Sequence, residues 1–246
     1  MAKNKQLDKS FSISVFFPCY NDAGSISLLV KNADVLLKNI TSNYEIIVVD
    51  DCSKDESRHV LELLKKDVRK LKLVFHKINL GYGGALKSGL KASSKKWVFY
   101  TDGDGQYDVK DLIKLIEKIE KDVDVVQGYK LNRSDPWYRL FVGKTYHYFA
   151  QFLFNLKIRD VDCDFRLIKK NALDSIKLTY NSGVVCVELV KKLQDNNCKF
   201  VEVGVHHYPR LYGHSQFFNY KRIAKTLFEL SNLWFNLVIF KDEKHI

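Results

Sequence analysis

Residues 97–108 read Trp-Val-Phe-Tyr-Thr-Asp-Gly-Asp-Gly-Gln-Tyr-Asp. Four residues of strand composition, Trp97 to Tyr100, run straight into Asp102-Gly103-Asp104, with Gln106 two further on. Side chains alternate faces along a strand, so a spacing of two aims Asp102 and Asp104 at one point just past its end. Gly103 and Gly105 let the backbone turn tightly and approach a ligand. Two carboxylates and an amide oxygen suit a hard divalent cation such as Mg2+ or Mn2+, which prefers oxygen ligands. An Asp-Gly hairpin turn reads equally well from these residues alone.

The surroundings favour the cation. Residues 12–17 read as a strand halted by Pro18, and Ile26, Leu29, Val30, Ala33, Leu36, Leu37 and Ile40 follow helical spacing. Residues 44–49 are a nearly continuous apolar strand ended by Asp50-Asp51; Ser53 with Glu56 three later predicts a capping box opening the next helix. A third strand over Lys72 to His76, a small-residue helix over 83–94, the Trp97 strand, a helix bearing Leu112 to Ile119 and a strand from Asp124 to Gln127 follow. Strands alternating with helices predict an α/β fold whose mostly parallel sheet is covered on both faces. Ligands of such sheets bind outside the carboxyl ends of the strands. Those ends carry Pro18-Cys-Tyr20-Asn21-Asp22, Asp50-Asp51, Asn79-Leu-Gly81 and Asp102-Gly-Asp104, all on one rim.

Two glycine patterns are decoys. Gly81-Tyr-Gly83 begins like a dinucleotide fingerprint, but Leu86 stands where the third glycine belongs; Gly84 to Gly89 has phosphate-loop spacing, yet Leu90 replaces the lysine.

The 246 residues, 46% hydrophobic and 28% charged, are ordinary globular composition. Five scattered cysteines without a Cys-x-x-Cys argue against a disulfide framework or zinc site and fit a reducing compartment. No signal peptide is visible in the polar, basic start, Met1 to Ser10. The net charge of +11 suits a nucleotide diphosphate, an anionic membrane or nucleic acid. Residues 137–156 are strongly aromatic, with Arg139, Lys144 and His147 interspersed, as in a helix lying on a membrane or one packed under a sheet. Leu227 to Phe240 holds one charge, Glu229, but is too short to span a bilayer, which takes about 20 apolar residues. With Lys221, Arg222 and Lys225 upstream it fits an anionic leaflet, a dimer interface or the core.

Taken in order, several segments resemble one family, the inverting nucleotide-sugar glycosyltransferases of family 2 with the GT-A fold. They are Phe17-Pro-Cys-Tyr-Asn-Asp22, Glu45-Ile-Ile-Val-Val-Asp-Asp-Cys-Ser-Lys-Asp55, Asn79-Leu-Gly-Tyr-Gly-Gly-Ala85, Thr101-Asp-Gly-Asp-Gly-Gln106, Asp160-Val-Asp-Cys-Asp-Phe-Arg166 and Tyr208-Pro-Arg-Leu-Tyr-Gly-His-Ser215. Within the family the chain is most similar to the dolichyl- or polyprenyl-phosphate sugar synthases. The resemblance implies that Pro18, Tyr20, Asn21 and Gly81 line the nucleotide pocket and that Asp50 and Asp51 hold base and ribose. It implies that Asp102, Asp104 and Gln106 bind the metal, and that Arg139 and Arg166 hold phosphates. Arg210 and Ser215 match the loop that closes near the donor. The family's usual Gly-Ser-Arg is Gly128-Tyr-Lys130 here, so either Lys130 or Arg133 takes that phosphate role. Asp164 replaces a usual glycine and sets Asp160, Asp162 and Asp164 at i, i+2, i+4; one of them is a candidate base, or a loop carboxylate paired with Arg166.

The resulting expectation is a metal-dependent inverting transferase on a GT-A domain over residues 11–216, after a flexible N-terminus (1–10) and before a C-terminal amphipathic helix (217–246). The donor is a UDP- or GDP-linked sugar, and the acceptor a polyprenyl phosphate at the cytoplasmic face of a membrane. A homo-oligomer or a membrane-protein partner would account for the apolar C-terminus. A glycan or lipid hydroxyl acceptor would need a working base. A basic nucleic-acid-binding module is disfavoured because aromatics do not interleave with Lys and Arg, and a dead binding protein because the metal-site residues are intact.

Overall fold

The computed structural model describes residues 10–131, 137–210 and 220–240, with the side chains of 137–144, 146 and 220–223 outside that description. Arg133 and Ser215 lie outside the described residues, as does the expected flexible start over 1–9. The elements run β1 (Ile13–Cys19), α1 (Ala23–Lys38), β2 (Tyr44–Asp50), α2 (Ser57–Asp67), β3 (Leu71–Phe75), α3 (Tyr82–Ala92), β4 (Trp97–Thr101), a 3-10 turn (Val109–Asp111) and α4 (Leu112–Ile116). Then come β5 (Val125–Lys130), α5 (Trp137–Phe154), β6 (Phe165–Lys169), α6 (Lys170–Asp174), α7 (Val184–Asp195), β7 (Phe200–Val205), α8 (Tyr220–Trp234) and a π-helical turn (Phe235–Ile239).

The seven described strands form one sheet in the order β3-β2-β1-β4-β6-β5-β7. Only β6 runs against its neighbours β4 and β5, and every other pairing is parallel. Alternation along the strands splits the core into two faces. Phe17, Ile46, Val48 and Phe99 pack with α1, α2 and α4 on one side. Phe16, Ile47, Val49 and Val98 pack with α3, α6 and α7 on the other. Strands apolar on both faces are what a sheet covered by helices on both sides requires. Removing one such buried aromatic ring would cost about 3–5 kcal/mol.

Three local expectations are corrected. Pro18 does not stop the first strand; it pairs with Val49 inside β1. Odd residues of β1 bond to β2, as Ile13 N does to Asn43 O, so the Pro18 nitrogen faces β4. The β4 ladder has already ended at Phe16–Tyr100, and no bond is lost. Ser53 does not cap α2, which starts at Ser57 with no side-chain cap. The Ser53 hydroxyl accepts instead from Asn21 N at 3.0 Å, while Asp55 accepts from Ala23 N at 3.2 Å and Ser57 Oγ from Asp22 N at 3.1 Å. Tertiary bracing of the loop after β1 outcompetes the cap. The helix expected over 112–119 is short, α4 ending at Ile116.

The C-terminal helices resolve the choice between core and surface by doing both. Ala150 and Phe154 of α5 and Leu230, Leu233 and Leu237 of the last helical stretch are buried together against Val184, Val187 and Val190 of α7. Trp234 Nε1 donates to Leu153 O at 2.9 Å. The opposite stripes stay bare: Phe152 is 86% exposed and Phe228 67%. No helix among the described residues is long and apolar enough to cross a membrane.

Candidate functional site

The loops after β1, β2, β3 and β4 meet at the carboxyl edge of the sheet. Gly103 sits against β1, where a Cβ would come 2.4 Å from Pro18 O, and its carbonyl accepts from Ser25 Oγ at 2.7 Å. That contact leaves no room for a side chain between Asp102 and Asp104.

The two aspartates differ in environment. Asp102 is half-buried, Asp104 buried. Burial, then Asp164 and Asp104, push the Asp102 carboxyl well above the usual carboxylate range; Lys130 and the adjacent Tyr82 hydroxyl work the other way. The Tyr82 hydroxyl is buried yet short of full hydrogen-bond geometry with any described group. Asp104 Oδ1 accepts from Gln106 N at 3.0 Å, and its other oxygen is gripped by Arg210. Gln106 turns its amide nitrogen to Tyr208 O at 3.1 Å, which ties residues 106–107 to 207–208. Asp22, which the sequence reading passed over as a site residue, joins them. Burial raises its carboxyl to about 6, Asp104 and Asp55 adding repulsion against the Tyr20 N–H and Arg210. Its position at the end of β1 was the signal available in the sequence.

Among the described residues no three His, Cys, Asp or Glu side chains form a ready-made metal cage. The set nevertheless fits a hard divalent cation. Asp102 is held among like charges that a cation would relieve, and oxygen donors from ligand and water can complete its shell.

Around this centre the structure sorts the expected residues. Asp51 Oδ1 accepts from Leu80 N at 2.7 Å, Oδ2 from Gly81 N at 2.9 Å, and His76 Nδ1 lies 2.7 Å from Oδ1. Gly81 has φ +80°, and a Cβ there would stand 2.7 Å from Asn181 O, so only glycine fits. Asn21 Oδ1 accepts from Lys54 N at 2.8 Å, and Tyr20 N donates to Asp22 at 3.1 Å. Arg139 lies on α5, its side chain outside the description.

Three expectations are corrected. Asp50 is sealed at 0% exposure, accepting from Ser53 N and from Arg58 Nε at 2.7 Å, and has no surface for a ligand. Arg166 cannot reach a phosphate. It is 1% exposed and spends its guanidinium on Gln127 Oε1 (2.6 Å), Asp164 Oδ1 (2.9 Å), the Tyr100 hydroxyl and Val161 O. Nor do Asp160, Asp162 and Asp164 share a face of an extended segment. The chain turns at 161–162, so Asp160 faces Lys130 (3.7 Å) while Asp164 faces Arg166. Lys130 Nζ donates to Asp162 O at 2.7 Å. Beside Lys130 a cavity of about 350 Å3 opens beneath α5, lined by Tyr129, His147, Gln151, Arg159 and Asp160 among others.

The comparisons agree with this architecture. A family model described as "Glycosyl transferase family 2" matches residues 14–177. Among solved structures, glucosyl-3-phosphoglycerate synthase from Mycobacterium tuberculosis, in complex with Mn2+, UDP and phosphoglyceric acid, superposes with a TM-score of 0.68 at 15% identity, over 92% of this chain and 78% of that one. The same enzyme with Mg2+ and UDP gives 0.66 at 14% identity, over 90% and 79%. A mannosyltransferase from Pyrobaculum calidifontis, in complex with GDP-Man and Mn2+, gives 0.64 at 16% identity, over 91% and 64%. At such identities the likeness is one of fold.

Proposed function

The chain belongs to glycosyl transferase family 2, and from that premise we propose that it is a metal-dependent inverting glycosyltransferase moving a sugar from a UDP- or GDP-linked donor to a polyprenyl phosphate at a membrane surface. The observation that carries the reading is the placing of Asp102 and Asp104 together just past the end of β4, where burial and then the Asp164 and Asp104 charges raise the Asp102 carboxyl. Mg2+ or Mn2+, held by Asp102, Asp104 and the Gln106 amide oxygen, would neutralise the departing diphosphate. The similar folds crystallised with UDP or GDP-Man and Mn2+ or Mg2+ support that choice of ligand and ion.

The chain's own residues do the rest. Asp51, 3% exposed with both oxygens engaged by Leu80, Gly81 and His76, acts by fixing the Gly81 loop rather than by touching the donor, and Pro18, Tyr20, Asn21 and Gly81 are the walls of the nucleotide pocket. Arg210, resting on Asp104, would pair with the donor phosphates. The cavity beside Lys130 receives the acceptor phosphate, with Arg159 in its lining and Arg139 on α5, the helix above it. A phosphate monoester is already anionic near neutral pH, so its oxygen attacks the sugar C1 without a strong base. That agrees with Asp160 and Asp164 being engaged by Lys130 and Arg166, and it disfavours a hydroxyl acceptor, which needs a free base. The exposed stripes of α5 and α8, with Phe152 and Phe228 outermost, fit a lipid surface.

A thermal-shift panel of UDP- and GDP-sugars with and without Mn2+ tests the proposal. A donor at ~100 times its dissociation constant should stabilise the protein by about 2.7 kcal/mol. One nucleotide should stand out and lose its effect on chelation. Equal responses across the panel, indifferent to chelator, would overturn the reading.

A further inference from the structure

On the face of the sheet away from α1 and α2, a second cavity of about 550 Å3 lies between α3 and α6 and takes no part in the site above. Its floor is apolar: Leu90 and Leu173 are 8% and 7% exposed and belong to the core beneath. Its rim is basic. Lys87 and Lys91 stand one turn apart on α3, while Lys170 opens α6 and Lys177 follows it. Asp174 is the one carboxylate in the lining, and Lys170 already holds it at 2.7 Å. Lys87 is half-buried and donates to Thr179 O at 2.9 Å, a neutral acceptor. Lys91 and Lys177 are exposed and have no carboxylate partner among the described residues.

Four ammonium groups border this depression against one lining carboxylate, with Glu188 acting on Lys87 from outside it, so the lining carries an excess of positive charge that a ligand anion would balance. An inorganic anion would satisfy the rim but leave the apolar lining, chiefly the half-buried Ile176 and Leu178 beside Leu90 and Leu173, facing water. A neutral apolar molecule would cover the floor but leave the ammonium groups uncompensated. The volume is that of an ordinary small-molecule site. We propose that the groove between α3 and α6 binds a monomeric amphiphilic anion, an apolar body carrying one phosphate monoester or carboxylate, its carbon chain on Leu90 and Leu173 and its charge among the four lysines.

Amide chemical shifts recorded while decyl phosphate is added below its micelle concentration test this, with decanol, inorganic phosphate and phosphatidylserine vesicles as parallel arms. Decyl phosphate should saturate, moving the amides of Leu90, Lys91, Leu173 and Leu178. The Lys91→Glu/Lys177→Glu double variant, whose exposed positions leave the thermal midpoint unchanged, should bind it about tenfold more weakly or worse. Decanol and inorganic phosphate should each bind more weakly than decyl phosphate. Equal affinity in the double variant, or inorganic phosphate binding as tightly, would overturn the proposal. So would shifts confined to residues 129–130 and 147–151, which belong to the acceptor cavity. Vesicles that bind where the monomer does not would overturn it in favour of a bilayer surface.

Discussion

His76 stands between Asp51 and Ser88, its Nδ1 2.7 Å from the Asp51 carboxylate and its Nε2 2.8 Å from the Ser88 hydroxyl. This relay joins the ends of β2 and β3 to the middle of α3, and Asp51 anchors it by also accepting from Leu80 N and Gly81 N. Asp51→Ala would orphan two backbone N–H groups and the imidazole, at about 2–4 kcal/mol, whereas Ser88→Ala removes one hydrogen bond worth about 0.5–1.5 kcal/mol. Urea denaturation of both variants checks the order. A smaller loss for Asp51→Ala than for Ser88→Ala would show that the loop stands without its anchor.

Glu45 supplies a pH dependence. Burial raises its carboxyl, but Lys72, the Ser14 hydroxyl, and the N–H and hydroxyl of Ser94 outweigh it and hold the group at about 2, below its usual 4.5. A depressed carboxyl stabilises the fold above its unfolded value, so the contribution is full above pH 4.5 and fades as pH falls towards 2. Discounted for the exposed Lys72 end of the ion pair, it is worth about 2–3 kcal/mol at neutral pH. Glu45→Gln should be less stable by that amount at pH 7 and converge on the parent near pH 2. A gap independent of pH would assign the loss to packing.

Arg166 is buried with all its bonds internal. Arg166→Met leaves Asp164 and Gln127 without their donor and should cost about 3–5 kcal/mol. A lowered melting midpoint with donor affinity preserved at low temperature is the expected result. Lost affinity in a variant of unchanged stability would return Arg166 to the ligand.

Asp104 is buried and paired rather than standing free on the rim, so the isosteric Asp104→Asn is the better probe of the metal role. It should slow transfer by about 10²–10³-fold and abolish the Mn2+ dependence of UDP binding, read by titration calorimetry. Metal-dependent UDP binding retained at parental strength would remove Asp104 from the coordination shell.

Phe152 and Phe228 lie on exposed stripes. Phe152→Ser with Phe228→Ser should leave the melting midpoint within about 1 kcal/mol equivalent of the parent, while sedimentation with anionic vesicles falls by about tenfold. Unaltered co-sedimentation would separate these side chains from any lipid contact.

The alternation of apolar strands and helices determined the sheet, because burial on both faces writes continuous hydrophobic runs into β1, β2 and β4, and the strand-ending aspartates determined which edge carries the polar loops. Only the tertiary structure decided what each polar residue does there. Asp50 and Asp51 are adjacent and chemically identical, yet one is sealed by Arg58 while the other organises Leu80 and Gly81 from thirty residues away. Arg166 has the chemistry to hold a phosphate, but the reversed β6 carries it into the sheet against Gln127 and Tyr100. Spacing along a chain reports local geometry, whereas the partner of a charged side chain depends on which distant segments fill the space in front of it, and those contacts exist only once the chain is folded.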